Sequence, residues 1–353
     1  MGSAKKGILL VNLGTPDSPQ VTDVKRYLTE FLMDGRVIDI PRWRRTLLVK
    51  GIIVPFRAPS SAKVYREIWD KQTGSPLLHY SRLQQRLLQE RLGDGFRVEL
   101  AMRYQQPSIA LALEALKREN VDSIRVIPLF PQYASATTGS VIERVMRVLQ
   151  GWHTFPELSF VHQFYDNELM VETFAENALK HRPETYDHIL FSYHGLPVRQ
   201  LLDVDGSGRH NCDQAGCREH LDESNKFCYT AQCYETSRLI ANRIHIKRAD
   251  YTVCFQSRLG KTPWIQPYTS DVLKETAAAG KRRLLVFSPA FVADCLETVY
   301  EIGTEYATEF NALGGQTVQL VESLNDHPKW IKALEQLALG SALSWPATKN
   351  LTV

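Results

Sequence analysis

Eight short apolar runs, rich in β-branched residues and bounded by turn residues, punctuate the chain. They are GILLVNL (7–13), RVELAMRY (97–104), SIRVIPLF (123–130), LSFVHQF (158–164), HILFSYH (188–194), YTVCFQS (251–257), RLLVFSP (283–289) and TVQLVE (317–322). Runs that are apolar on both faces predict parallel strands covered by helices on both sides. Helical spacing lies between them, as in PSIALALEALKREN (107–120) and SVIERVMRVLQ (140–150), and the alternation predicts an α/β fold. The runs also divide into two sets of four. The first run of each set enters a similar x-x-G-x-P turn, NLGTP (12–16) and YHGLP (193–197), and the third ends near proline, in IPLFPQ (127–132) and FSPAF (287–291). The reading is two similar doubly wound halves meeting near residue 165.

Composition narrows the function classes. The net charge of +3 over 353 residues, with basic residues scattered, gives no nucleic-acid footprint. No run reaches the roughly 18 apolar residues of a membrane span. The start, MGSAKKGILLVNLG, reads as a first strand rather than a signal peptide, and Lys6 does not fit a myristoylation pattern. The expected location is therefore cytoplasmic, where clustered cysteines more often bind metal than form disulfides.

In open α/β sheets, ligands bind beyond the carboxyl ends of the strands. Leu13, Arg103, Tyr104, Tyr133, His194, Gln256, Ser257 and Phe291 follow the runs and are candidates on that ground. No G-x-G-x-x-G or G-x-x-x-x-G-K-[ST] follows a strand, so the usual nucleotide signals are missing. His194, in FSYHGLP, sits at a strand end, where it is either a structural histidine or a proton acceptor. In SPAFVADCLETVYEIG (288–303), the spacing of Asp294, Glu297 and Glu301 predicts three carboxylates on one helix face. They form either a solvated face or a ladder for protons or a hard cation. Tyr65, Tyr104, Tyr133, Trp264 and Phe291, with Arg57 and Arg103, would suit a flat apolar ligand carrying carboxylates, or are ordinary core. The stretch RWRRTLLVKGIIVPFRAP (42–59) is either a buried helix with a basic start or a surface element that dips into a membrane headgroup region. Four of the six cysteines, Cys212, Cys217, Cys228 and Cys233, share one polar segment, 211–233, while Cys254 and Cys295 stand alone in apolar surroundings.

Taken in order, GILLVNLGTPDS, FRAPSSAKVYREIW, TGSPLLHYSR, AMRYQQPSI, PLFPQYASATTGS, FSYHGLP, FQSRLGKTPWIQPYT and AFVADCLETVYEI resemble the ferrochelatase family over nearly all of residues 7–335. The resemblance implies two Rossmann-like domains, each a four-stranded parallel sheet flanked by helices. The expected spans are 5–165, with an active-site lip, and 166–342, with the cysteine loop. It implies insertion of ferrous iron into protoporphyrin IX, with porphyrin and iron as substrates. His194 matches the family's catalytic histidine and Glu297 its key carboxylate, both also expected to meet the incoming iron. Asp294 and Glu301 match carboxylates of a proton or metal path. Leu13, Arg57, Tyr65, Ser75, Arg103, Tyr104, Tyr133, Trp264 and Phe291 match porphyrin-pocket positions.

Two departures bear on that expectation. Leu13 stands where coproporphyrin-using relatives place a tyrosine, which leans the substrate toward protoporphyrin IX over the alternative, coproporphyrin III. Cys295 stands where some relatives have histidine. Some members carry a [2Fe–2S] cluster, so Cys212, Cys217, Cys228 and Cys233 are expected to hold one, with structural zinc as the rival. A non-catalytic haem or iron sensor on the same fold is the alternative from another class. A homodimer and a peripheral position at the inner face of the cell membrane stay open, and no nucleic-acid partner is expected.

Overall fold

The computed structural model describes residues 5–204, 221–258 and 262–340. All eight apolar runs form strands: β1 (Lys6–Gly14), β2 (Phe96–Tyr104), β3 (Ser123–Pro128), β4 (Glu157–Phe160), β5 (His188–His194), β6 (Tyr251–Gln256), β7 (Arg283–Phe287) and β8 (Thr317–Leu320). They pair in parallel throughout, in two sheets ordered β2-β1-β3-β4 and β6-β5-β7-β8. The two orders are the same, so each set of four repeats one topology. In each sheet the chain steps from the first strand to one side, then crosses to the other. The ends of β1 and β5 are thus the switch points where open sheets receive ligands.

The helices are α1 (Val21–Leu32), α2 (Arg42–Thr46), α3 (Val54–Ile68), α4 (Pro76–Leu92), α5 (Ile109–Arg118), α6 (Ser140–Leu149), α7 (Glu168–Lys180), α8 (Val198–Leu202), α9 (Tyr229–Arg243), α10 (Thr269–Ala278), α11 (Ala307–Ala312) and α12 (Pro328–Leu339). Strand alternation divides the core. Leu9 and Val11 face α5 and α6, while Ile8 and Leu10 face a larger core that also takes Phe191, Tyr193, Phe287 and Trp330 from the second half. Leu190, Cys254, Leu284 and Phe310 fill the outer face of the second sheet.

The two sheets follow one another along the chain, but their packing is shared. Helix α12 follows β8 yet packs on α4 of the first half and on α7. Arg125 Nε donates to Leu337 O at 2.6 Å, and Arg91 pairs with Glu335.

Residues 42–68 form one helical run, α2 and α3 joined through a π-helical turn, Leu47–Ile53. Pro55 and Pro59 lack amide hydrogens, so the α-ladder cannot pass through them unbroken. One face, with Val49, Val54, Ala58, Ala62 and Tyr65, is buried. The other leaves Trp43, Leu47, Ile52 and Phe56 exposed, Phe56 at 80%. The run is thus a surface helix, not a buried one. Among the described residues no helix is long and apolar enough to cross a membrane.

Candidate active site

The repeated x-x-G-x-P turns have a steric cause. Gly14 has φ +121°, and a Cβ there would meet Tyr104 O at 2.1 Å. At Gly195 a Cβ would lie 2.9 Å from Gln256 O and 3.3 Å from the Trp264 ring. In both turns the neighbouring strand presses onto the glycine, so only glycine lets the chain leave the sheet there. Leu13 and His194 immediately precede these glycines and occupy equivalent places in the two halves.

His194 is half-buried at the end of β5, opposite Gln256 of β6. Its Nδ1 lies 2.7 Å from Gly195 O. A carbonyl only accepts, so Nδ1 carries a proton, and in the neutral ring Nε2 is the nitrogen that can accept one. Gln256 links this strand end to the segment behind it: its Nε2 donates to Glu297 O (3.3 Å) and to Glu301 Oε2 (3.2 Å), and its Oε1 accepts from Ser192 (2.6 Å).

Glu297 and Glu301 lie on a π-helix, Glu297–Tyr306, which runs into α11. With its i→i+5 ladder, positions four apart stay side by side, so Glu297, Glu301 and the exposed Glu305 form a row. Asp294 does not join it. It precedes the helix, and its carboxylate accepts from Ser323 N (3.2 Å), Thr298 Oγ1 (3.1 Å) and Asn325 Nδ2 (2.7 Å). The expected three-carboxylate face is corrected on that point: regular helical spacing does not extend back to residue 294, and Asp294 ties the helix start to the 323–325 loop.

Glu301 is the most constrained of the row. Ser257 Oγ lies 2.9 and 2.6 Å from its two oxygens, and Tyr306 donates at 3.1 Å. Ser257 adopts φ +67°, a conformation that costs a non-glycine residue energy and concentrates at functional sites. Burial pushes the Glu301 carboxyl above its ordinary value, outweighing the Ser257 hydrogen bonds and the attraction of His194, with repulsion from Glu297 adding to the rise. Gln256, Ser257 and Tyr306 also line a cavity of about 160 Å³ with Arg258, Tyr268 and Lys274. It is too small for a macrocycle but has room for several waters beside Glu301.

On the facing side, Leu13 is half-buried where two apolar groups meet. One holds Tyr27, Tyr65, Leu296, Val299 and Tyr300; the other holds Leu77, Cys295, Tyr80 and Phe291. Tyr27 and Tyr65 pack edge to face, 6.2 Å between centroids. Burial raises both phenols, and the Glu297 charge adds to it. Sequence reasoning missed Tyr27, which lies in a helix far from any strand end; Glu305 was findable as the next step of the four-residue spacing. Arg57 is exposed on α3, and Ser75 is buried as the N-cap of α4. Trp264 packs on Gly195 and bridges Pro197. Tyr133 sets its ring edge on Phe227, 5.7 Å away, and its N–H donates to Gln232 Oε1 at 2.7 Å.

Arg103 and Tyr104, at the end of β2, are tied to Asp34 and Ser140. Tyr104 is fully buried, and its hydroxyl donates to Asp34 Oδ2 at 2.9 Å. Arg103 pairs with the same carboxylate and donates to Ser140 Oγ at 2.6 Å. Together they close a buried polar cluster around Asp34. Burial works against the Asp34 charge, but hydrogen bonds from Ser140 and the Arg36 amide, with Arg103 beside it, hold its pKa below the ordinary value.

Of the four-cysteine set, Cys212 and Cys217 lie outside the described residues. Cys228 caps the start of α9 and Cys233 is buried one turn later. Burial raises the Cys233 thiol well above its ordinary value, and Cys228 adds to the rise. A thiol buried in this way stays protonated unless a cation lies beside it. Among the described residues no group of three or more metal-binding side chains comes together.

The Ferrochelatase family model matches residues 5–341. "Ferrochelatase" of Legionella pneumophila (strain Lens) is 43% identical over 333 residues, covering 94% of this chain and 98% of that protein. "Ferrochelatase" of Coxiella burnetii (strain Dugway 5J108-111) is 43% identical over 338 residues, covering 95% and 93%. Among solved structures, SirB from Bacillus subtilis with Fe³⁺ shares the fold, with a TM-score of 0.53 at 13% identity over 96% of this chain and 97% of that one. With two repeated parallel sheets, a histidine and a carboxylate row at the second switch point, and relatives of this closeness along almost its whole length, the chain belongs to the ferrochelatase family, enzymes of haem biosynthesis that act on iron and porphyrin.

Proposed function

We propose that this enzyme inserts Fe²⁺ into protoporphyrin IX, with His194 and Glu297 as the groups that meet the pyrrole protons and the incoming metal. The observation that carries the reading is the His194 ring, whose Nδ1 is held on Gly195 O, which makes Nε2 the accepting nitrogen of the neutral ring. Metallation releases two protons as iron enters. Nε2 accepts the first; Glu297 and Glu301 carry protons outward, past Glu305 and toward the cavity beside Ser257. A glutamate raised by burial takes a proton more readily near neutral pH than an ordinary one, which suits Glu301 to relay work. Asp294 serves as the anchor of this helix.

Leu13, Tyr65, Phe291 and Trp264 supply apolar walls for the macrocycle, with Arg57, Ser75 and Tyr133 toward its polar edge. Arg103 and Tyr104 support that wall from behind through Asp34. Leu13 offers no oxygen to a metal or propionate, which favours protoporphyrin IX over coproporphyrin III. The exposed Trp43, Leu47, Ile52 and Phe56, flanked by Arg42, Arg44, Lys50 and Arg57, suit a lip resting on a membrane surface. A steady-state comparison of the two porphyrins tests the reading. Protoporphyrin IX is expected to win in kcat/KM; a tenfold preference for coproporphyrin III overturns it.

The cysteine segment is proposed to hold a [2Fe–2S] cluster through Cys212, Cys217, Cys228 and Cys233, with zinc as the rival. Four thiolates match the charge of either centre. Such a centre orders the segment; it takes no part in the metallation chemistry. Two irons with inorganic sulfide per chain in anaerobically purified protein are expected, and one zinc without sulfide would replace the reading.

A further inference from the structure

The Tyr229 hydroxyl donates to the main-chain carbonyl of His194 at 2.9 Å. The Gly195 N–H, at the other end of the same peptide plane, donates to Gln256 O at 2.8 Å. One peptide unit is thus held at both ends. It lies between the Cα that carries the imidazole and the Gly195 carbonyl that fixes its Nδ1. A peptide plane is rigid, so holding its two polar groups fixes the direction from which the His194 side chain leaves.

Tyr229 is only 6% exposed. It is the first residue of α9, directly after Cys228, and it lies near the buried Cys233 thiol. Cys233 lies one turn on and, like Tyr229, packs in the shared core beside Tyr193. The same helix turn therefore carries two cysteines of the four-cysteine set and the hydroxyl that grips the His194 turn.

We infer that Tyr229 is a positioning residue for His194, and that the Cys228–Cys233 helix start acts on metal insertion through it. The inference rests on His194 as the proton acceptor and adds how the cysteine segment reaches it. Whatever orders the first turn of α9 sets the tyrosine, and the tyrosine sets the peptide plane. The phenyl ring without its hydroxyl keeps the packing and loses the grip.

The test is a double-mutant cycle on the full-length enzyme with Tyr229→Phe and Cys228→Ser. Tyr229→Phe is expected to lower kcat about fivefold or more, the loss expected for a hydrogen bond that orients a reacting group. The KM for porphyrin should stay within about twofold, because the macrocycle walls are untouched. Metal content per chain and Tm should stay near wild type. Cys228→Ser should lower kcat in the wild-type background and add less than about twofold in the Tyr229→Phe background. The ¹⁵N signals of the His194 imidazole give a readout independent of turnover: one Nδ1–H tautomer in wild type, a mixture of tautomers in Tyr229→Phe. A Tyr229→Phe enzyme with wild-type kcat and an unchanged imidazole signal overturns the inference. So does a Cys228→Ser loss of the same factor in both backgrounds. Full turnover by His194→Ala would instead overturn the proton-acceptor reading itself.

Discussion

Glu301 gives the clearest pH signature of any single side chain in the site. Its carboxyl is raised above the ordinary value, first by burial, so the folded protein holds that proton more tightly than the unfolded chain does. The stability it contributes is full at low pH and is lost as pH rises through the raised value. Glu301→Gln, fixed in the uncharged form, should therefore match wild type in Tm near about pH 4 and exceed it near about pH 8. A Tm difference that does not change with pH would contradict the assignment. Asp34 has the opposite sign, a depressed carboxyl whose charge is needed beside the nearly buried Arg103. Asp34→Asn leaves that guanidinium without its counter-charge and should cost about 3 kcal/mol in urea unfolding. A loss under about 0.5 kcal/mol would mean the cluster is no more than a surface pair. These environments are not legible in the sequence. His194, Glu297 and Glu301 announce themselves by strand-end position and spacing, but that Arg103 and Tyr104, also at a strand end, are tied to the distant Asp34 is visible only in the fold. Spacing can put a residue on a face; only the fold says what waits there.

Among the elements, the eight strands are legible because each is a short β-branched run cut off by turn residues, and their ends fall within a few residues of the expected spans. The π-helical turns are not legible, because an α-helix and a π-helix share nearly the same apolar pattern over two turns. Nor is the helix start: Asp294 reads as part of the row from sequence, yet the helix begins only after it. The 42–68 helix shows both sides of the matter. Its alternation of apolar and basic residues leaves two readings open in sequence, and the structure resolves the packing by exposing Trp43, Leu47, Ile52 and Phe56 along one side. If that side rests on lipid, Leu47→Ser with Phe56→Ser should release the enzyme from anionic vesicles in a flotation assay. Activity on porphyrin dispersed in detergent should stay within about twofold, since neither side chain is needed for chemistry. Flotation equal to wild type would remove the membrane-lip reading.

At the scale of the molecule, the two sheets repeat one topology, yet the helices tie them together. Ile8 and Leu10 share a core with Phe191 and Trp330, and α12 returns from the second half to pack on α4 and to take Arg125 at its last turn. Two halves with separate cores would unfold in two steps; this shared core predicts one calorimetric transition with matching van't Hoff and calorimetric enthalpies, and two resolved transitions would contradict it. The same shared core holds the β5 end, with His194, against the first half of the molecule. The most direct test of that account is a single-turnover experiment under anaerobic conditions, with protoporphyrin IX bound to excess enzyme and Fe²⁺ added by rapid mixing. His194→Ala should bind the porphyrin within about twofold of wild type, and its metallation rate should fall at least about 100-fold, the loss expected for a positioned proton acceptor. Metallation by His194→Ala at the wild-type rate, with porphyrin equally bound, would contradict it.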